Sequence, residues 1–222
     1  MRQIPLAIAP PPACCFDSTL PGRNGEVLDH LRQLAPHAAP TYLWGPAGCG
    51  KTHLLRALAA DWQARGGRVA AFDPSASLPW DFDERVALIV LDGCEAFDEA
   101  QQQAAFALFV QASAAGIPIV AAGRWPPVDL PLREDLRTRL GWGLVFALQP
   151  LAEAESRAVL RREADRRGIR LADEVLDYLL TRFARDLSQL MALLDRLDEF
   201  ALARQRAVTV PLLKTMLEEE GA

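Results

Sequence analysis

The sequence predicts an α/β chain, with a parallel sheet sandwiched by helices and then a small all-helical domain. Three observations carry that expectation. Apolar strand runs and helical runs alternate from residue 41 to 148, the order that builds a parallel sheet through helical crossovers. A glycine-rich loop, Gly45-Pro46-Ala47-Gly48-Cys49-Gly50-Lys51-Thr52, joins the first strand to the helix that follows it. After Gln149-Pro150 the strand pattern stops and only helical periodicity remains. The expected organisation is therefore an extended tail (1–13), a nucleotide-binding domain (14–150) and a helical domain (151–222).

Each element has a local reason. In the tail, Pro5 and Pro10-Pro11-Pro12 exclude a helix. A helix is expected over 24–34, because Val27, Leu28, Leu31 and Leu34 recur at helical spacing. Thr41–Trp44 is a short apolar run ending at glycine, which reads as a buried strand. The helix from 51 to about 65 is stopped by Gly66-Gly67, and a second strand follows over 69–72. Val86–Leu91, six apolar residues without a break, suits a parallel strand covered on both faces. A helix over 99–115, a strand over 117–122, a helix over 133–140 and a strand over 144–148 complete the alternation. The second domain reads as four helices, 153–167, 172–183, 186–205 and 211–220, the last opened by Thr209 and Pro211.

Composition narrows the function classes. Half of the 222 residues are apolar and 24% are charged, which supports a true core and excludes disorder as the main state. The 24 basic and 29 acidic residues give a formal charge of −5 and are evenly balanced in both domains. No domain-wide basic face exists to follow a nucleic-acid backbone, so a primary DNA-binding role is disfavoured. The proline-broken N-terminus does not read as a signal peptide, and Val86–Leu91, the longest strongly apolar run, is too short to span a bilayer. A cytoplasmic protein with no membrane partner is expected. Cys14, Cys15, Cys49 and Cys94 form no C-x-x-C pair and have no histidine at metal spacing; small buried apolar side chains are expected.

The glycine-rich loop has the form G-x-x-x-x-G-K-[ST] between a strand and a helix, the phosphate-binding arrangement. Its glycines let backbone N–H groups point at phosphate oxygens, and the helix N-terminus adds partial positive charge. Lys51 would reach the outer phosphates and Thr52 would offer a hydroxyl to Mg²⁺. Only two basic residues in the chain are lysine, Lys51 and Lys214, and one of them falls where the loop requires it. Asp92, at the end of the most apolar strand, is the expected acid for the metal; its plainer reading is an Asp beginning a turn. Gly93 follows, where many ATPases of this architecture carry an acid that polarises water, and Glu95 stands two residues further on. Own-site hydrolysis is expected to be slow.

These residues occur together with Phe16-Asp17, Pro21-Gly22-Arg23-Asn24, Pro126-Pro127, Leu148-Gln149-Pro150-Leu151 and the run Asp135-Leu136-Arg137-Thr138-Arg139-Leu140-Gly141-Trp142-Gly143. The set resembles the AAA+ ATPases of the DnaA group and, more closely, the Hda family of DnaA-related regulatory inactivators, over nearly all of the chain. The resemblance implies a P-loop AAA+ sheet with a helical lid closing over bound ADP or ATP and Mg²⁺. It implies that Arg139 is an arginine finger acting in trans on ATP held by DnaA, so that the chain activates the DnaA ATPase. The tail Gln3-Ile4-Pro5-Leu6-Ala7-Ile8 resembles the peptide by which proteins dock on the replicative sliding clamp. In that case Gln3 would serve a polar subsite, and Ile4, Leu6 and Ile8 an apolar groove. DNA would then be met only indirectly, through the clamp, and a homo-oligomer is possible because finger-in-trans ATPases stack head to tail.

Departures from the family pattern are visible. Gly123-Arg124-Trp125 stands where an acidic residue is expected, and Ser188 replaces a lid arginine, with Arg185 three residues earlier as the substitute nucleotide contact. Adenine contacts are expected from 16–24. By itself, the tail reads as an apolar terminus and Arg139 as one of 22 arginines. Two alternatives stay open: an initiator-type DNA-replication factor, and a stand-alone AAA+ ATPase or helicase-loading factor. An initiator of this group would continue into a basic helix-turn-helix domain, whereas this sequence runs out at Glu218-Glu219-Glu220-Gly221-Ala222.

Overall fold

The structure, a computed structural model, describes residues 15–183 and 186–220. The chain divides between residues 149 and 150 into two compact units. In the first, five parallel strands form one sheet: β1 (Thr41–Trp44), β2 (Arg68–Phe72), β3 (Val86–Leu91), β4 (Ile119–Gly123) and β5 (Leu144–Ala147). Their order is β2-β3-β4-β1-β5. The helices of this unit are α1 (Gly25–Arg32), α2 (Lys51–Ala64), α3 (Glu99–Ala115) and α4 (Glu134–Leu140).

Strand β3 shows why the sheet needs cover on both sides. Leu88 and Val90 enter one core with Leu28, Leu55 and Leu58 of α1 and α2. Ile89 and Leu91 enter the other with Leu108 and Phe109 of α3 and Leu136 of α4. Neighbouring side chains on a strand point to opposite faces, so an unbroken apolar run demands two apolar layers.

The boundaries fall within two residues of expectation. Strand β4 starts at Ile119 because the Ile117 amide donates to Ala112 O (2.9 Å) and so still belongs to the end of α3. Helix α1 ends at Arg32, although Leu34 beyond it remains buried. Helix α3 opens with a capping box that the apolar pattern does not reveal. Asp98 Oδ1 accepts from the Gln101 amide (2.8 Å), and Gln101 Oε1 accepts from the Asp98 amide (3.2 Å). Cys49 and Cys94 are buried as expected; Cys15, just before the turn Phe16–Ser18, is exposed, and Cys14 lies outside the described residues.

Among the described residues the second unit has four helices: α5 (Glu153–Arg166), α6 (Asp173–Arg182), α7 (Leu187–Arg204) and α8 (Val210–Glu220). Their apolar stripes meet around Leu160, Leu176, Leu179, Leu194, Leu197 and Leu213. Ion pairs tie the helices outside that core: Arg157–Asp177 and Arg161–Asp173 join α5 to α6, and Arg204–Glu219 (2.6 Å) joins α7 to α8. Lys214 sits 5.7 Å from the Tyr178 ring centroid, a packing role. Among the described residues no helix is long and apolar enough to cross a membrane.

Candidate functional site

Strand β4 lies between β1 and β3, with Trp44 paired to Gly123 and Leu91 to Ala121. The carboxyl ends of the loop-bearing strand and the Asp92-bearing strand therefore flank the end of β4, where open α/β sheets bind ligands. From Trp44 the chain turns through the phosphate loop into α2. Gly50 caps that helix with φ +101°, a left-handed conformation that residues with a Cβ rarely adopt. The turn leaves the first amides of α2 without helical partners and available to an anion. Lys51 Nζ donates to Gly45 O (2.8 Å) and Pro46 O (2.9 Å) and lies 3.7 Å from the Cys49 sulfur, which holds the ammonium over the loop.

Thr52 and Asp92 are forty residues apart in sequence and meet in space: Thr52 Oγ1 donates to Asp92 Oδ2 at 2.6 Å. A hydroxyl and a carboxylate are hard oxygen donors of the kind Mg²⁺ prefers. Among the described residues no group of three His, Cys, Asp or Glu side chains could hold a metal. The Thr52–Asp92 pair fits, by its chemistry, a Mg²⁺ that arrives with nucleotide phosphates.

The exit from β3 turns through a glycine. Gly93 has φ +64°, with Pro74 against the place where a side chain would start (3.4 Å), so an acid there would be strained. Glu95 Oε2 accepts from the Arg124 amide at 3.1 Å, tying the ends of β3 and β4 together. Beside it, the buried Tyr42 hydroxyl donates to Trp125 O at 2.9 Å. Burial, with Cys94 and Glu95 nearby, pushes the Tyr42 phenol up, and burial does the same to the Cys94 thiol. Both are therefore neutral structural groups at neutral pH. The Arg124 guanidinium lies 5.6 Å from the Trp125 ring centroid.

The 16–24 segment reaches the same loop through contacts that no local pattern announces. Thr19 Oγ1 is within hydrogen-bond distance of both Cys15 O (3.2 Å) and Nε2 of His53 (3.0 Å), one residue past Thr52. Asn24 is buried and forms a two-bond clasp with Gln149: its Nδ2 donates to Gln149 O and its Oδ1 accepts from the Gln149 amide, both at 2.8 Å. Both residues belong to runs noted in the sequence, yet they are 125 positions apart.

Arg139 lies in the last turn of α4, half-buried, and has no ion pair among the described residues. Its guanidinium carbon is 4.7 Å from the ring centroid of Trp142 and 6.0 Å from that of Phe106. An open hollow beside it is lined by Phe106, Arg133, Glu134, Asp135, Thr138 and Arg139. The structure thus brings Gly45 to Thr52 and Asp92 together and sets Arg139 on α4. Gln3, Ile4, Leu6, Ile8 and Arg185 lie outside the described residues, as does the side chain of Ser188.

A five-stranded parallel sheet of this order with a phosphate loop after β1, followed by four helices, defines a P-loop module of the AAA+ class. The chain is similar throughout to domain III of the Thermotoga maritima replication initiation protein DnaA (20% identity, TM-score 0.79, covering 94% of this chain and 97% of that one). It is also similar to AMPPCP-bound DnaA from Aquifex aeolicus (19% identity, TM-score 0.68), with 85% of this chain matching 66% of that one. The Thermotoga maritima RuvB Holliday junction branch migration motor shares the fold at 15% identity and TM-score 0.60, over 87% of this chain and 64% of that one. The family model of the Hda lid domain matches residues 153–217. Residues 153–217 thus carry a lid domain of the Hda type.

Proposed function

We propose that the protein docks on the DNA-loaded sliding clamp through its N-terminal tail and drives DnaA-bound ATP to ADP, with Arg139 supplied in trans. The observation that carries this reading is Arg139 itself, a guanidinium near the end of α4 with no carboxylate partner among the described residues, in a chain with an Hda lid domain. A guanidinium placed at a transferring phosphoryl group stabilises transition-state charge and is worth about 10³–10⁵ in rate when supplied by a neighbouring protein. The protein's own nucleotide, ADP or ATP, is held by the phosphate loop, with Lys51 at the outer phosphates and Thr52 and Asp92 toward Mg²⁺. The bound ion would neutralise phosphate charge. The likeness to an AMPPCP-bound DnaA supports an adenine nucleotide as the ligand. Gly93 at the end of β3, with Glu95 engaged by the Arg124 amide, supports slow own-site turnover.

The test follows hydrolysis of ATP preloaded on DnaA, with clamp loaded on DNA, in the presence of wild-type protein, Arg139→Ala or Gln3→Ala. Acceleration by the wild type and its loss in both variants is the expected result. No acceleration by the wild type would overturn the proposal. Rapid ATP turnover by the isolated protein would favour a stand-alone ATPase instead.

A further inference from the structure

Asp135 stands four residues before Arg139 on α4, the spacing and direction at which a carboxylate captures an arginine along a helix. Here it is already engaged. Arg133 Nη2 lies 2.8 Å from Asp135 Oδ2 and Arg133 Nε 3.3 Å from Oδ1, while the Leu136 amide donates to Oδ1 at 2.7 Å. The Arg139 guanidinium turns to aromatic rings instead, with Trp142 the nearer at 4.7 Å. The Trp142 amide donates to Arg139 O at 3.3 Å, closing the helix end and setting the indole beside the guanidinium. Trp142 is 68% exposed, far beyond what an aromatic needed for the core would be. Stacking uses the flat face of a guanidinium and leaves its N–H edge unspent, whereas a carboxylate would occupy that edge.

We propose that Trp142 is a positioning residue for Arg139: its indole face holds the guanidinium so that the N–H edge is presented to a phosphate on the neighbouring protein. The inference rests on the trans-acting role of Arg139 proposed above. It places the effect of Trp142 on the turnover of the assembled complex, because a pre-oriented cation needs no reorganisation as charge develops.

The test measures stimulated hydrolysis on the ATP-loaded partner against concentration of the full-length protein, for wild type, Trp142→Leu, Trp142→Phe, Arg139→Ala and the Trp142→Leu/Arg139→Ala pair. Trp142→Leu is expected to lower the maximal rate about three- to fivefold, the change an exposed cation–π contact carries, with the half-saturating concentration unchanged. Trp142→Phe should restore most of that loss, and Trp142→Leu should add nothing in the Arg139→Ala background. In the protein alone, the Arg139 Nε–Hε nuclear magnetic resonance, assigned by its loss in Arg139→Lys, should be ring-current shifted and should lose that shift in Trp142→Leu.

A raised half-saturating concentration with an intact maximal rate would make Trp142 a docking contact and overturn the proposal. So would a Phe variant as slow as Leu, or a resonance that Trp142→Leu does not move. Full stimulation by Arg139→Ala would overturn the trans-acting reading itself, and the positioning role with it. An inactive Arg139→Ala beside a fully active Trp142→Leu would overturn the positioning role alone.

Discussion

Lys51 and Arg139 are the two cations that the proposed function sets at phosphates, and the folded unit treats them differently. The Lys51 ammonium is bonded to two carbonyls of its own loop, and Thr52 and Asp92 are in direct contact beside it. Arg139 makes no ion pair among the described residues and rests against Trp142. The difference fits the proposal that Lys51 serves the chain's own nucleotide and Arg139 a partner's. A cation for the chain's own nucleotide is placed by backbone geometry at strand ends, where amides and a helix N-terminus already favour an anion. A cation for a partner's nucleotide must keep its donors free until contact, and an aromatic face holds it without consuming them.

Four substitutions sharpen or break that contrast. The largest effect is expected from Arg139→Ala, which should cut stimulated hydrolysis on DnaA by about 10³ or more, roughly 4 kcal/mol of transition-state stabilisation. Its nucleotide affinity, measured by isothermal titration, should match wild type; a weakened site would show that the two cations are not separate in function. Next, Lys51→Ala should weaken adenine-nucleotide binding about a hundredfold, roughly 3 kcal/mol, in the same titration. An unchanged Kd would remove the phosphate loop from the function.

The third variant concerns the clasp. Asn24→Ala leaves the Gln149 amide and carbonyl without their partners and should cost about 2 kcal/mol in denaturant unfolding. A loss within 0.5 kcal/mol, roughly the range of ordinary surface changes, would show that water replaces both bonds.

The smallest effect belongs to the lid. The Arg166 and Arg167 guanidiniums hold the Glu163 carboxyl below its usual range, against the opposing effect of its burial. A carboxyl depressed in the folded state stabilises it above the unfolded pKa, near 4.3, and that stability fades as pH falls through the folded value. Glu163→Gln should therefore cost about 1 kcal/mol at pH 7 and nothing once the wild-type carboxyl is protonated. Equal losses at pH 7 and pH 2 would assign the effect to packing.

Much of the architecture was legible in the residues. The alternation from 41 to 148, the loop from Gly45 to Thr52, Asp92 at the end of an apolar run and the switch to helices after Pro150 are all short-range patterns. Periodicities of two and 3.6 residues and a fixed eight-residue motif survive being read along the chain, because the backbone imposes them locally. Element ends were less legible where a single hydrogen bond decides them, as with Ile117 remaining on α3.

What the tertiary structure alone decided are competitions between groups that no local window contains. Strand β4 enters between β1 and β3, so Gly123 pairs with Trp44 while Thr52 still reaches Asp92. Asn24 finds Gln149 only because β5 lies beside β1 at the sheet edge. Asp135 had two arginines within reach, one capping α4 and one in its last turn, and its capture by Arg133 left Arg139 to Trp142. Short-range pattern specifies which elements form, because each depends on its own neighbours. Which donor meets which acceptor depends on where the packed sheet and helices place them all at once, and that is settled only when the chain has folded.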